Sequence, residues 1–274
     1  MKNKEYFDVL NISANRELVD MVQALMGNKC LGTFFQNESA KLYFNSGLRD
    51  EMDITLEELF KDQTMKWEWE KQVREDWHLI WQDHFHPVII ENRLAVIPHW
   101  EKDYPVELTI RIKPGMAFGT GHHETTWLML SQMLQNLKPG MSVLDLGTGS
   151  GILSITADKL GANKITSVEF DSDCKTNFFE NLKLNGINGQ IDFFLMDVLQ
   201  WTDFNYQYIL VNMNRNIILE LLPGISIPQG GKMFLTGIMD EDEKVVIDTC
   251  ITNNLKVVEK QSRGQWICLT VISL

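Results

Sequence analysis

A glycine-rich turn between a strand and a helix is the first place in this sequence where chemistry can be expected. The turn reads Asp-Leu-Gly-Thr-Gly-Ser-Gly over residues 145–151 and follows Val143 and Leu144. Glycine at 147 and 149 permits positive φ and lets the backbone approach a ligand closely. The helix that begins after such a turn offers unpaired N–H groups and a partial positive charge. These residues therefore predict a ligand site, and the alternative is that the glycines only make turns.

The spacing of the glycines separates two classes of cofactor. A dinucleotide fingerprint has its third glycine three positions after the second, where this chain has Ile152, and here Gly151 comes one position earlier. The spacing disfavours a nicotinamide-dependent oxidoreductase, which remains an alternative. An acid before Gly-x-Gly-x-Gly, here Asp145, is typical of a sheet that binds S-adenosylmethionine (AdoMet). Gly147 and Gly149 would then lie against the methionine part of AdoMet.

Two further acids follow the next predicted strands. Glu169 ends a strand roughly twenty residues after the turn, where a carboxylate can accept hydrogen bonds from both ribose hydroxyls. Asp171 stands in the following loop and is better placed to begin the next helix. Asp197, after the strand over residues 191–195, is the natural neighbour of the adenine amino group. A solvated surface acid is the alternative interpretation of Glu169.

Strand and helix patterns alternate regularly from about residue 126 onward. Helices are predicted over residues 127–137, 152–160 and 174–184, and strands over 142–146, 165–170, 191–195, 208–211, 232–235, 256–259 and 266–272. Repeated strand and helix units give a mostly parallel sheet with helices on both faces. The sequence therefore predicts an α/β fold that binds its ligand at the carboxyl ends of the strands.

The first part of the chain has a self-contained pattern of its own. Strands are predicted over residues 6–12, 30–36, 41–44 and 64–70, and helices over 15–26 and 56–60. The order βαββαβ suits a small α+β sandwich of the ferredoxin-like kind. We therefore predict three parts: a small α+β domain over residues 1–72, a linker helix over 73–87 with one aromatic face, and the cofactor domain over 88–274. Extended segments over residues 88–90, 94–98 and 108–113 open the last part.

Composition and charge exclude several classes of protein. Of the 274 residues, 44% are hydrophobic and 23% are charged, as in a globular protein. The net charge of −12 argues against direct binding of nucleic acid and leaves room for a basic protein partner. No apolar run is long enough to span a membrane, so a cytoplasmic protein is expected. The four cysteines have no close pairs, and no metal site is predicted.

A segment before the sheet carries a more specific signal than the glycine turn. It reads Lys-Pro-Gly-Met-Ala-Phe-Gly-Thr-Gly-His-His-Glu-Thr-Thr over residues 113–126. Together with residues 145–151 and 169–171, Asn212 and residues 230–237, it resembles the PrmA family, the methyltransferases of large-subunit ribosomal protein eleven. The resemblance covers about residues 75–274, and the first part of the chain matches in pattern only.

The resemblance implies a fold, a cofactor and a substrate. It implies a Rossmann-like class I methyltransferase sheet that binds AdoMet through Thr126, Gly147, Glu169 and Asn212. It further implies that the small first domain recognises ribosomal protein eleven of the large subunit, and that lysine ε-amines and the α-amine are methylated. A methyltransferase of another amine and a non-catalytic AdoMet-binding module are the alternatives.

Asn212 is the predicted catalytic residue. Methyl transfer from a sulfonium requires a neutral, aligned amine, and a lysine amine with pKa about 10.4 is almost entirely protonated at neutral pH. An asparagine oxygen can accept from the amine and orient its lone pair without competing for the proton. His122 and His123 could contact the substrate or have structural roles, and Phe118 could line the site.

Overall fold

The structure, a computed structural model, divides the chain into two compact units, Met1–Phe85 and His86–Leu274. It describes residues 6–14, 18–19, 22, 26, 29–36, 39–60, 65–73, 86–113, 119, 121–189 and 191–274. The predicted linker helix lies almost entirely outside these residues. Within them, no helix has both the length and the apolar composition needed to cross a bilayer.

The first unit contains a four-stranded antiparallel sheet. Its strands are β1 (Tyr6–Ser13), β2 (Cys30–Gln36), β3 (Ser39–Asn45) and β4 (Lys66–Val73), in the order β2-β3-β1-β4, and helix α1 spans Arg49–Phe60. Of the predicted helix over residues 15–26, the described residues 18, 19, 22 and 26 are helical. The strand order confirms the predicted ferredoxin-like sandwich. Its core combines both layers: Leu10, Ile12, Leu42, Phe44, Val19, Val22, Met52 and Leu56.

The second unit opens with a small mixed sheet. The strands β5 (Val88–Ile90), β6 (Leu94–Pro98) and β7 (Leu108–Ile112) match the three predicted extended segments. β5 pairs antiparallel with β6, and β6 pairs parallel with β7.

A seven-stranded sheet forms the centre of the second unit. Its order is β10-β9-β8-β11-β12-β14-β13, and β14 alone runs against the other six strands. The strands are β8 (Ser142–Leu146), β9 (Lys164–Glu169), β10 (Ile191–Leu195), β11 (Tyr208–Asn212), β12 (Lys232–Met239), β13 (Leu255–Arg263) and β14 (Trp266–Ser273). The mostly parallel sheet predicted from the sequence is confirmed.

Helices cover both faces of this sheet. They are α2 (Glu124–Asn136), α3 (Ile152–Lys159), α4 (Ser172–Leu184), α5 (Arg215–Leu221) and α6 (Glu243–Thr252). Two separate apolar cores, one on each side of the sheet, bury the strands between them. The first three helices lie within three residues of the predicted bounds, whereas α5 and α6 were not predicted.

The register of the parallel strands brings their carboxyl ends together. Leu146 of β8 pairs with Val168 of β9 on one side and with Val211 of β11 on the other. The next residue along each strand is therefore Gly147, Glu169 and Asn212, and all three reach the same edge. Gly147 lies between the acid and the amide.

Candidate functional site

A cavity of about 730 Å³ lies at the carboxyl edge of the large sheet. Five of the seven predicted cofactor residues line it: Gly147, Gly149, Glu169, Asp197 and Asn212. The other two, Thr126 and Asp145, are fully buried and do not line it. The neighbouring Thr125 reaches the cavity in place of Thr126.

The glycine-rich turn is held by close packing. Its three glycines have positive φ, between 54° and 82°. At Gly151, which caps α3, an added Cβ would lie 2.8 Å from Cδ2 of Phe178 on α4. A side chain at this position would push α4 away from the turn. The third glycine of the turn is therefore a packing requirement, and Gly147 and Gly149 are the two that reach the cavity.

Glu169 has a fixed orientation. Its Oε2 accepts from the Gly149 N–H (2.8 Å), and its Oε1 accepts from the N–H groups of Phe170 (2.9 Å) and Asp171 (3.0 Å). A carboxylate has about four acceptor positions, so three backbone donors leave room for a ligand hydroxyl. Asp171 accepts from the Asp173 N–H and caps α4, as predicted.

Asp145 is a buried carboxylate at the end of β8. Its Oδ2 accepts from Thr148 Oγ1 (2.7 Å) and Ser154 Oγ (2.6 Å). Burial raises the pKa of Asp145 to about 6, against the lowering effect of these two hydroxyls, and the charge of Glu169 adds to the rise. Among the described residues, Asp145 Oδ1 and Thr126 Oγ1 have no hydrogen-bond partner. Two buried polar atoms therefore remain unsatisfied, which is rare in folded proteins.

Asn212 ends β11, and its side chain has no hydrogen-bond partner in the part of the chain that the structure describes. The backbone after it is packed against β12, because a Cβ on Gly237 would overlap the Met213 carbonyl group. Gly237 has φ 94° and lies where the pairing of β12 with β14 shifts register. Asn214 then caps α5 by accepting from the Ile217 N–H (3.2 Å). The strand end is held by its backbone, and the Asn212 amide is available to a ligand.

The two histidines have different environments. His123 caps α2, with its Nδ1 2.8 Å from Thr125 Oγ1, and its ring packs edge-on against Trp266 at 4.8 Å between centroids. Both rings line the cavity. His122 donates from Nε2 to the His86 carbonyl (2.8 Å) and does not line it. Phe118 lies outside the described residues.

Asp197 and Cys174 complete the rim. Asp197 accepts from the Leu199 N–H (2.9 Å) and caps a short 3₁₀ helix, Val198–Gln200. Burial, with the nearby carboxylates of Glu169, Asp171 and Asp173, raises the pKa of Cys174 to about 12. The thiol is therefore neutral, and a nucleophilic thiolate next to the cavity is excluded near neutral pH.

Several lining residues had not been predicted from the sequence: Thr125, Phe170, Cys174, Leu199, Met213 and Trp266. Phe170 and Met213 directly follow predicted site residues, so their position was available as a signal. Trp266 begins the antiparallel strand β14, and its neighbourhood depends on the sheet order. Nothing local marks Cys174 or Trp266.

Six codirectional strands, one reversed strand second from the edge, and a cavity beside a glycine turn define the Rossmann-like fold of class I methyltransferases. The chain belongs to the ribosomal protein L11 methyltransferase (PrmA) family, whose sequence model matches residues 10–273.

Individual relatives agree with this assignment. A ribosomal protein L11 methyltransferase of Lactobacillus gasseri is 37% identical over 202 residues, which is 72% of this chain and 64% of that relative. Its counterpart in Porphyromonas gingivalis is 33% identical over 260 residues, or 91% of this chain and 89% of the relative. A solved ribosomal protein L11 methylase of Lactobacillus delbrueckii subsp. bulgaricus has TM-score 0.64 and 30% identity, covering 69% of this chain and 99% of the other.

Proposed function

We propose that this protein transfers methyl groups from AdoMet to amino groups of ribosomal protein L11. The observation that carries the proposal is the neighbourhood of Gly147, which has the fixed carboxylate of Glu169 on one side and the Asn212 amide on the other. Among the described residues, the Asn212 side chain has no hydrogen-bond partner. A cofactor bound along the turn from Glu169 would reach Asn212 at its reactive end. The family membership and the names of the relatives support the substrate.

The residues present fit AdoMet on three observations. Glu169 keeps an acceptor position for ribose, and Gly147 leaves the backbone open where a Cβ would lie 3.1 Å from the Met213 side chain. Asp145 Oδ1 and Thr126 Oγ1 are buried atoms that lack a partner among the described residues. We assign ribose to Glu169, the adenine amino group to Asp197, and the methionine part to Gly147 and Gly149, which line the cavity. Asp145 and Thr126 lie behind this lining, so their unpaired atoms would reach AdoMet through a shift of the turn when the cofactor binds.

Asn212 is the residue that would act on the substrate. AdoMet supplies a methyl group on a sulfonium, which is already a good leaving group, so no strong acid is needed. The Asn212 oxygen accepts a hydrogen bond from the incoming amine and orients its lone pair. The neutral thiol of Cys174 does not compete for the methyl group, because its pKa is raised to about 12.

We assign recognition of the protein substrate to residues 1–72. The support is that the described residues in this range form a four-stranded sheet and helices around a core of their own, and that the resemblance implies such a role. Glu68 and Glu70 are exposed on β4, where Glu70 forms an ion pair with Lys41 (2.8 Å) and Glu68 offers a carboxylate to a basic protein. Replacing both by glutamine should raise KM for the ribosomal protein and leave the AdoMet dissociation constant unchanged. An unchanged KM would argue against this surface.

A labelling experiment tests the proposed function directly. The protein is incubated with labelled AdoMet and the ribosomal proteins of the same source, and labelled species are identified by mass spectrometry. Label on amino groups of ribosomal protein L11 is the expected result. Label on another amine would show that ribosomal protein L11 is not the substrate. Tight binding of NADH without binding of AdoMet would show that the cofactor assignment is wrong.

A further inference from the structure

Three asparagines, two on α4 and one at its C-terminal cap, bind the backbone at the end of β7 and directly after it. Asn177, Asn181 and Asn185 are spaced four residues apart, which places them on one side of the helix. Asn185 accepts from the Arg111 N–H (2.9 Å) and donates to the Arg111 carbonyl (2.7 Å). Asn177 donates to the Lys113 carbonyl (3.1 Å). The helix thereby pairs with Arg111 and Lys113 through side chains in the manner of a neighbouring strand.

Asn181 differs from the other two because it also reaches the glycine-rich turn. Its Oδ1 accepts from the Lys113 N–H (2.8 Å), and its Nδ2 donates to the carbonyl of Ser150 (2.9 Å). The side chain is fully buried. A single buried amide therefore joins the backbone after β7 to the turn at the cavity.

Ser150 supplies a second connection to the same segment. Its hydroxyl donates to the Gly119 carbonyl (2.6 Å), and a Cβ on Gly119 would lie 2.7 Å from that Oγ. Lys113 and Gly119, on either side of residues 114–118, are thus both tied to Ser150. The chain continues from Gly119 to His123 and Thr125, which line the cavity.

We infer that Asn181 is a positioning residue for methyl transfer. It fixes Lys113 to Ser150, so that a ligand held by the glycine-rich turn also sets the backbone leading to His123 and Thr125. The inference rests on the proposed function and adds a residue to it. Alignment of the reacting groups is sensitive to displacements of about 1 Å, so loss of this connection lowers kcat even when both substrates saturate.

Asn185 provides a matched control. Among the described residues, Asn181 and Asn185 each make three side-chain hydrogen bonds, and two of each three go to backbone outside the helix. Only those of Asn181 include the turn. Asn181→Ala and Asn185→Ala should lower Tm by similar amounts. At saturating AdoMet and ribosomal protein L11, we expect kcat to fall about 10- to 100-fold in Asn181→Ala and less than about 3-fold in Asn185→Ala.

Hydrogen exchange at the Lys113 amide measures the connection without the protein substrate. AdoMet should slow this exchange in the wild type and in Asn185→Ala, and should leave it unchanged in Asn181→Ala. Ser150→Ala, which loses only the hydroxyl link to Gly119, should share the kcat defect. In the double variant, the decrease in kcat should be no larger than in Asn181→Ala alone. If Asn181→Ala does not fold, the kcat of Ser150→Ala tests the inference.

Equal kcat in Asn181→Ala and Asn185→Ala, or a Lys113 amide that ignores AdoMet in the wild type, would overturn the inference and leave the proposed function intact. A wild type that binds AdoMet but labels no protein would overturn both.

Discussion

Replacing Asp145 by asparagine should make the protein more stable at neutral pH and less able to bind AdoMet. The carboxylate is fully buried, and only its Oδ2 is hydrogen-bonded among the described residues. Asparagine has the same shape and can keep its oxygen towards Thr148 and Ser154. The variant therefore removes a buried charge without opening a cavity.

The size of the effect follows from the pKa. Burial raises the pKa of Asp145 from 3.8 to about 6, and a rise of this size corresponds to about 3 kcal/mol. The folded state holds the Asp145 proton more tightly than the unfolded state does. Below about pH 4 both states are protonated, so burying Asp145 carries no cost of burying a charge. The loss of folding stability caused by ionisation of Asp145 develops between about pH 4 and pH 6 and is complete above that range. The asparagine variant should thus gain about 2–3 kcal/mol over the wild type at pH 8 and almost nothing at pH 4.

Hydrogen exchange of the β8 and α3 amides across a urea series, at pH values from 4 to 8, measures this difference within the second unit. Comparing the two proteins at each pH cancels every other titrating group. A stability difference that stays constant over this range, or a variant less stable at pH 8, would refute the conclusion that burial of the ionised Asp145 carboxylate destabilises the fold. Calorimetry should find AdoMet binding weakened roughly 10- to 100-fold, on the scale of a hydrogen bond to a charged group.

Four further predictions concern the cavity. Glu169→Gln should weaken AdoMet binding by about 1.5–3 kcal/mol in calorimetry, because an amide lacks the charge and cannot accept from all three backbone donors. The control Asp171→Asn keeps its helix cap and should bind AdoMet with the wild-type affinity. Asn212→Ala should lower single-turnover rates by about 10²–10³ and stay slow at high pH; recovery there would mean that Asn212 promotes deprotonation. Cys174 should react with iodoacetamide at pH 8 about a thousandfold more slowly than free cysteine, because only about one thiol in 10⁴ is ionised at that pH. Mass spectrometry of the alkylated protein measures this rate. At pH 7 an α-amine, with pKa about 7.7–8.0, should be methylated before any lysine amine, and time-resolved peptide mass spectrometry showing the reverse order would place substrate positioning above amine ionisation.

The sequence predicted those parts of the fold that depend on local pattern. Strands β8 and β10 have the predicted bounds, because apolar runs between turn residues define buried strands. Helix α5 was missed because its seven residues give less than two turns of periodicity. Helix α6 was missed because an acidic 3₁₀ turn, Asp240–Asp242, precedes it without a side-chain cap.

The site divides in the same way. Gly147, Glu169 and Asn212 were predictable because parallel strands end on one edge, so residues far apart in sequence share that edge. Trp266 was not, because it starts a reversed strand and reaches the cavity only through its pairing with Met239 of β12. Thr125 and Thr126 are adjacent, and only the turn of α2 decides which one faces the cavity.

Several groups at the site are in energetically unfavourable environments. Among the described residues, Asp145 has a buried oxygen without a hydrogen-bond partner, and the Asn212 side chain has no partner either. At Gly237 there is no room for a side chain, because the backbone after β11 lies against β12. Polar atoms left unsatisfied at one edge of an otherwise well-packed sheet are what a ligand with donors and acceptors would satisfy. We expect the stability that the second unit lacks at this edge to reappear as affinity for a ligand that completes these hydrogen bonds. Asp145→Asn tests this link, because it should remove the instability and the affinity together.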